Sequence, residues 1–507
     1  MREVCRISGG SLPKQKRRWS GSYATQDSMP LGGSCYAQHP ALVLFDVKVE
    51  DEAWATALSF AEVVYPDDGI IVSWLHRLIH GAADTFFNQD NRRFQLCLTF
   101  AARSVRFVLV DRCGVAGSLL YDIDEHPEVL VRLVAGLMFY NRPSIGFDTT
   151  ITTLKNGDRQ IKVRQDVYDI VKKLAMSQDV RGKATIVWHA RRNGVDVVIK
   201  DNWTQPHDHV EAKVLEIAKD IPGIPKILAF ETVLINRIED STSNLLDFRA
   251  REVRVHQRMV TTPLANRLSY FRSKKELISV LVDAIEAHRA LADKNILHCD
   301  ISCNNIMIAD EEMGEPLRKG LLIDADSAQS IGDIGYWVGL VGTYTFMSSA
   351  ILTRGSSVKQ KPSDDLESFW WVLIYLCIRY AGPENTTRAD YVATIKSFPP
   401  FDEDQTKADP TGRLKRHLLS AKGLVESEIL PYFTLYFEDL KPCILELRDA
   451  FKRNKYKFSY DDMLDVLRRT RDALPLVENW SAQDNPVHRL ERSPVESPPK
   501  RRRIANR

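Results

Sequence analysis

At 507 residues, with 44% apolar and 27% charged positions, the chain can bury a sizeable core and has room for two domains or one large domain with tails. A net charge of +2 excludes a chain-wide pull toward nucleic acid or membrane, so positive charge matters only at the two ends, where it is concentrated. Eight scattered cysteines, with no CxxC pair and no His at zinc-finger spacing, argue against a zinc framework and fit reduced thiols in an intracellular compartment. No apolar N-terminal segment reads as a secretion signal, and the longest apolar run, Phe369–Ile378, is about half of a membrane span.

Residues 1–40 are rich in Ser, Gly, Arg and Lys with little periodicity and read as a disordered basic tail, in which Lys14, Lys16, Arg17 and Arg18 form a candidate import cluster. Residues 41–155 read as an α+β accessory region. Leu42–Phe45 and Val105–Val110 are its strands, the second closed by a turn at Asp111-Arg112-Cys113-Gly114. Leu130, Leu133, Val134 and Leu137 give Val129–Phe139 one apolar helical face.

A larger domain is expected over residues 160–475. Ile186–Trp188 and Val195–Lys200 are β runs joined around Arg192-Asn193-Gly194, a hairpin signal. Val210–Ala218 reads as a helix. Ser273 with Glu276 three residues on predicts a capping box. The helix it opens carries Leu277, Leu281, Ala284, Ile285, His288 and Leu291 on one face and runs to a short strand, Ile296-Leu297. Further helices are expected over Asp365–Arg379 and Tyr460–Ala473. Residues 476–507 read as a second disordered basic tail, in which Lys500-Arg501-Arg502-Arg503 would engage nuclear import machinery and Ser493-Pro494 and Ser497-Pro498 offer proline-directed phosphorylation sites. The expected location is nucleus or cytoplasm.

The chemistry concentrates in His298-Cys299-Asp300-Ile301-Ser302-Cys303-Asn304-Asn305 and in Leu321-Leu322-Ile323-Asp324. An Asp with an Asn five residues on, then an Asp closing a short apolar strand, is the layout of a phosphoryl-transfer site. Asp300 would orient the attacking hydroxyl, while Asn305 and Asp324 would bring hard oxygen donors to Mg2+. Lys200, ending a β run, could reach nucleotide phosphates as a point charge, and Glu211 on the next helix is the carboxylate chosen to hold it. Gly182, within Met176–Thr185, is the one glycine of a sparse phosphate-covering loop. His298 is expected to brace the metal-binding loop through a hydrogen bond.

With these residues in hand, the chain resembles the fungal-type protein kinase family over about residues 41–475. The resemblance is carried by Phe107–Gly114, Val198–Trp203, Arg258-Met259-Val260, His298–Asn305, Gly342–Ser348 and Asp364–Ser368. It implies an α+β, bilobal protein-kinase-like fold, with a small lobe to about residue 262, an N-terminal α+β accessory region and disordered basic termini. It also implies ATP and Mg2+ as cofactors, a hinge near Arg258–Pro263 that brings Met259 and Val260 to the nucleotide, and Asp365 tying the catalytic loop to the central helix of the large lobe. The expected function is that of an ATP-dependent Ser/Thr protein kinase acting on a protein substrate, with no membrane or nucleic-acid partner. A nucleotide-binding pseudokinase scaffold and a small-molecule phosphotransferase are the alternatives. Departures from the general kinase pattern are Cys299 in place of an Arg, Ser302 in place of a Lys, Asp324-Ala325-Asp326 in place of Asp-Phe-Gly, and Ser348-Ser349-Ala350 in place of Ala-Pro-Glu. They point to a slow enzyme that does not depend on an activation-loop phosphate.

Overall fold

The computed structural model describes residues 16–21, 35–36, 39–64, 71–245, 252–309, 317–331, 340–355, 359–391, 394, 398–401, 404–478 and 480. Lys14, the two Ser-Pro sites and the cluster at 500–503 lie outside them. The chain divides into two compact units, Met1–Asp208 with Ala229–Val260, and His209–Leu228 with Thr261–Arg507. No helix among the described residues is long and apolar enough to cross a membrane.

Among the described residues the first unit holds two large sheets and a small two-stranded hairpin. The N-terminal one comprises β1 (Arg17–Ser20), β2 (Leu42–Asp46), β3 (Ser59–Val64), β4 (Gln95–Ala101), β5 (Ser104–Asp111) and β6 (Gly114–Gly117) in that order, with β7 (Tyr121-Asp122) on β5. Only β3 and β4 run parallel among these pairs, and parallel neighbours need a crossover, here helix α1 (Ile71–Asn88). Alternation along the strands divides the core between two faces. Val43, Phe45, Phe60 and Cys97 pack on Leu78, Ala82 and Phe86 of α1. Leu44, Ala61 and Leu98 pack on Leu137 and Met138 of α2 (Pro127–Phe139).

β1 corrects the expectation of disorder through residue 40. Its Arg17 is buried and donates to the carbonyls of Leu137 and Tyr140, the latter at 2.7 Å. These lie at the C-terminus of α2, where unpaired carbonyls and the helix dipole both favour a cation. Arg18 pairs with Glu52. Two residues of the expected N-terminal import cluster are therefore committed to the fold.

The second sheet is antiparallel where its register is defined, and contains β8 (Ile151–Thr153), β9 (Arg159–Val163), β10 (Asp166–Met176), β11 (Ile186–Arg192), β12 (Val195–Thr204), β13 (Lys226–Thr232) and, after a small hairpin of β14 (Leu234-Ile235) and β15 (Ile238-Glu239), β16 (Val255–Thr262). Its order is β13-β16-β12-β11-β10-β9-β8. The β11–β12 turn has Asn193 at φ +52° and Gly194 at φ +78°, the left-handed pair that the Asn-Gly signal predicts.

A buried charge network joins the two sheets of this unit. Arg258 is fully buried on β16 and donates to Asp201 (2.7 Å to each oxygen), Asp148 (2.9 Å), the Thr150 hydroxyl (2.7 Å) and the Lys162 carbonyl (2.9 Å). His256 sits between Asp201 and Asp240, 3.0 Å from each, and stacks on Trp203. Arg93 reaches Asp240 at 2.6 Å. Although Asp148, Asp201 and His256 have metal-ligand spacing, the Arg258 guanidinium already bridges the two carboxylates.

Burial alone would lower the His256 pKa, but Asp201 and Asp240 outweigh it and raise it to about 9. The stabilisation from protonated His256 is thus complete below its unfolded value of about 6.5 and is lost as pH rises through about 9. Asp201 has the opposite sign: burial would raise its pKa, Arg258 and His256 bring it to about 2, and its contribution is lost only in strong acid. We expect the urea midpoint of the first unit to fall between pH 6.5 and 9.5, corresponding to roughly 3 kcal/mol at 1.36 kcal/mol per unit. A flat profile would mean that the imidazole is neutral.

The second unit begins with α3 (Val210–Ile217). It continues through β17 (Ala265–Arg267), α4 (Lys274–Asp293), β18 (Ile296-Leu297), β19 (Ile306–Ala309), β20 (Gly320–Leu322) and β21 (Gln329-Ser330). Then come α5 (Ser349–Arg354), α6 (Pro362–Arg379), α7 (Ala408–Ser420), α8 (Leu424–Glu428), α9 (Lys441–Arg453) and α10 (Tyr460–Ala473). The apolar run at 369–378 is the interior of α6, in which every side chain from Asp364 to Ile378 is buried. The Ser273 hydroxyl accepts the Glu276 N–H at 3.1 Å, as a capping box requires. The Glu276 carboxylate, however, accepts from the Arg272 N–H (2.7 Å) and from Arg318, which removes the reciprocal half of the box. Glu478 accepts the Lys274 N–H at 2.8 Å, and the Trp480 ring covers Gly382, so the fold extends to residue 480, past the expected start of the tail at 476.

Candidate active site

Local strand pairing assembles the chemistry of the second unit. The loop 298–305 is strung between β18, which pairs with β21, and β19, which pairs with β17 and β20. Asp324 stands two residues past the end of β20, and the intervening Ile323 N–H donates to the Asn305 carbonyl at 2.9 Å, which brings the ends of the two motifs together.

Asp300 is held on both carboxylate oxygens. Asn305 Nδ2 donates to its Oδ2 (3.0 Å) and to its carbonyl (2.7 Å), and the Thr343 hydroxyl donates to Oδ1 (2.8 Å). Because the Asn305 nitrogen is committed to Asp300, its amide oxygen is the end left to a cation. His298 is buried; its Nε2–H donates to the Ile323 carbonyl at 3.0 Å, and its Nδ1 accepts the Asp300 N–H at 3.3 Å. Burial lowers its pKa, and the two hydrogen bonds suit a neutral ring that joins the two motifs.

Asp365, at the start of α6, accepts the Cys299 N–H (2.9 Å) and His288 Nε2–H (2.8 Å) on one oxygen and the Gln360 amide (2.6 Å) on the other. His288 is anchored in turn by the Tyr460 hydroxyl at 2.8 Å. Cys299 (φ +65°) and Asp324 (φ +65°, ψ +57°) both hold left-handed backbone, a conformation that costs energy for such residues and persists when the surroundings impose it. Cys299 is buried, and burial pushes its thiol pKa far up, so it is an inert packing group.

Glu211, nearly buried in the first turn of α3, has a carboxylate oxygen within 4.8 Å of oxygens of both Asp324 and Asp326. A set of three carboxylates fits a divalent cation, since hard oxygen donors are what Mg2+ takes. In the sequence Glu211 is the expected partner of Lys200 and Asp326 stands out only as a departure from Asp-Phe-Gly, although its place two residues from the metal-motif Asp is a signal for a further carboxylate. Thr343 lies in the family-like segment Gly342–Ser348, and nothing in the sequence marks its hydroxyl as a partner of Asp300.

Four of the expected site residues belong to the first unit. Lys200 lies on β12 opposite Val187. Met259 and Val260 lie on β16, and the Val260 side chain is fully buried in the core with Trp188, Val197 and Ile199, which leaves its backbone as the part able to meet a ligand. Gly182 lies between β10 and β11 at φ +123°, and its N–H donates to the Arg112 carbonyl at 3.0 Å. The turn after β5 therefore takes this amide.

Gly342 provides a local test. At φ +118°, a Cβ there would lie 2.8 Å from the Cys299 carbonyl oxygen and 3.7 Å from Asp300 Oδ1. Gly342→Ala is expected to destabilise the second unit by about 1–3 kcal/mol and to displace the Asp300 loop. A crystal structure of the variant with the Cys299 carbonyl unmoved would contradict this.

The profile of the fungal protein kinase family matches residues 43–377, well over half of the chain. No curated protein matches. The solved structure of the kinase PK-1 of the Cydia pomonella granulovirus is similar at 14% identity and a TM-score of 0.38, covering 59% of this chain and 92% of the viral one. The fold is α+β and kinase-like, the associated chemistry is phosphoryl transfer of the protein-kinase type, and the chain belongs to the fungal protein kinase family.

Proposed function

We propose that the protein is an ATP-dependent Ser/Thr protein kinase. The observation that carries this reading is the double restraint of Asp300: Asn305 on one oxygen, Thr343 on the other, and the preceding Cys299 N–H fixed by Asp365. A carboxylate held in this way can accept a hydrogen bond from a Ser or Thr hydroxyl and aim its oxygen, which is most of what phosphoryl transfer asks of a protein. Bound ATP supplies the γ-phosphoryl group, and bound Mg2+ neutralises charge on the phosphates. Asp300 orients the acceptor hydroxyl and takes its proton as the new P–O bond forms and the β–γ bridge breaks. Asn305 and Asp324 would hold Mg2+ through their side-chain oxygens, with Asp326 and Glu211 adding negative charge beside Asp324. Lys200 offers a cation to the α- and β-phosphates.

A nucleotide-binding scaffold is the second reading. It is favoured by the Gly182 amide, which is committed to Arg112, and by Ser302, which is fully buried where a cation would otherwise face the γ-phosphate. Two measurements test the kinase reading: an ATP-induced thermal shift that requires Mg2+, and phosphoamino-acid analysis of a labelled acceptor protein. Label on Ser and Thr is expected. A Mg2+-dependent shift without labelled protein would favour the scaffold, and label on Tyr alone would overturn the acceptor class.

A further inference from the structure

Two arginines of the second unit converge on the far end of the Asp300 loop. Arg267 ends β17, opposite Met307 on β19, just where the 298–305 loop leaves for that strand. Arg379 is the last residue of α6. The segments that carry them are stitched together, since the Ser269 carbonyl accepts the Asn385 N–H at 2.7 Å and the Phe271 carbonyl accepts the Glu384 N–H at 2.9 Å. Burial raises the Cys303 thiol pKa to about 11 even though the Arg379 and Arg267 guanidiniums both pull it down, so the thiol between them is neutral. Arg379 is also tied to the segment that restrains Asp300. Its Nη1 donates to the Tyr375 and Tyr391 hydroxyls, the second at 2.8 Å, and the Tyr375 ring meets Phe346 edge-on at 5.2 Å, three residues past Thr343.

Neither arginine has an ion pair among the described residues. The carboxylates of the loop after α6 are already taken, Glu384 by Arg272 and Asp390 by Arg388. Arg388 also serves the end of α6, donating to the Ile378 carbonyl at 3.2 Å. Arg379 instead has only neutral hydroxyls on Nη1, and its buried Nε has no hydrogen-bond partner among the described residues. Two cations around a neutral thiol repel each other, and a buried guanidinium nitrogen left unpaired costs stability. An anion relieves both. The Nε–Nη2 edge of Arg379, away from the committed Nη1, is the edge of a guanidinium that grips a carboxylate or phosphate through two parallel hydrogen bonds.

Cys303 stands three residues beyond Asp300, a chain separation of at most about 10 Å, which an extended peptide covers in about three residues. We propose that Arg267 and Arg379 form an anion subsite for the acceptor protein, so that the Ser or Thr aimed by Asp300 is one with an acidic residue within a few positions of it. The proposal rests on the kinase reading above and deepens it by naming the substrate class. A phosphate on a residue near the acceptor shares the same chemistry.

The test is steady-state phosphorylation of synthetic peptides by the full-length chain at saturating Mg2+-ATP. The parent peptide has one serine among neutral residues, and in its derivatives a single glutamate, phosphoserine or lysine is walked along both sides of that serine. Glutamate is expected to raise kcat/KM about tenfold at its best position, mainly through KM, the effect of about one charge-assisted hydrogen bond, and lysine there should lower it. Arg267→Gln and Arg379→Gln should each cut the glutamate advantage at least threefold, and Arg379→Lys should keep most of it, which a purely structural arginine would not do. Arg267→Glu breaks no hydrogen bond or ion pair among the described residues; it should turn the preference toward lysine, and it carries the test if Arg379→Gln does not fold. A preference for phosphoserine without one for glutamate would keep the subsite and assign it to phosphate. Equal kcat/KM for the neutral, glutamate and phosphoserine peptides, or an advantage that survives both substitutions to glutamine, would overturn the subsite and leave the kinase reading intact. If the wild-type chain labels neither the peptides nor a mixed protein substrate, the kinase reading fails and the subsite with it.

Discussion

Arg258→Met is expected to destabilise the first unit by about 3–5 kcal/mol, the cost typical of removing one partner from a buried ion pair. The network is charge-balanced, with Arg93, protonated His256 and Arg258 against Asp148, Asp201 and Asp240. Methionine fills much of the volume but leaves Asp148 and Asp201 facing each other without the cation between them. It also leaves the Lys162 carbonyl without its donor. For a domain of this size the loss corresponds to a fall in melting temperature of about 10 °C. Because Asp148 follows the N-terminal sheet and Asp201 lies on β12, the two sheets should loosen together. Hydrogen exchange should therefore rise in both, and protection retained in the N-terminal sheet would show that the network does not couple them.

Lys415→Met is expected to cost about 3 kcal/mol in the second unit and to lower turnover at least tenfold while leaving ATP affinity unchanged. Lys415, on α7, is fully buried and donates to the carbonyls of Thr345 (2.7 Å) and Met347 (2.9 Å). Each buried carbonyl left without a donor costs about 1–3 kcal/mol. Burial pushes the Lys415 pKa down to about 7 against the pull of Glu367, a carboxylate that accepts the Ser349 N–H (2.6 Å) and the Trp371 indole N–H (3.1 Å). The pair thus fixes the segment that starts at Thr343, whose hydroxyl holds Asp300. Steady-state kinetics beside a nucleotide titration would separate the effects. A variant with normal turnover would show that Thr343 keeps its place without the lysine.

Elements with strong local signals were legible in the sequence. The helix face of α4, the extent of α10, the Asn-Gly hairpin of β11 and β12, and the turn after β5 all appear where their residues imply. β1 was not, because its meaning lies in Arg17 meeting carbonyls about 120 residues away at the end of α2. The parallel β3–β4 pair and its crossover helix leave no short-range signature either. At the site, the order of Asp300, Asn305 and Asp324 along the chain foreshadows their assembly, since a single β-hairpin joins them. The approach of Glu211 to Asp324 and Asp326, the Thr343 restraint on Asp300 and the capture of Gly182 by Arg112 depend on tertiary packing between distant segments. For the same reason Arg258, in sequence only the first residue of an expected hinge, is the centre of an ion network whose members span residues 93 to 258.

The most direct test of the central claim is transfer of labelled γ-phosphate from Mg2+-ATP to a mixed protein substrate by the purified chain, beside Asp300→Asn and Asp324→Ala. The account predicts hydroxyl-linked phosphate with the wild-type chain and a rate lower by about 10²–10⁴-fold with Asp300→Asn, the range for loss of a positioned proton acceptor. It predicts a loss at least as large with Asp324→Ala. Equal labelling by all three proteins would contradict it.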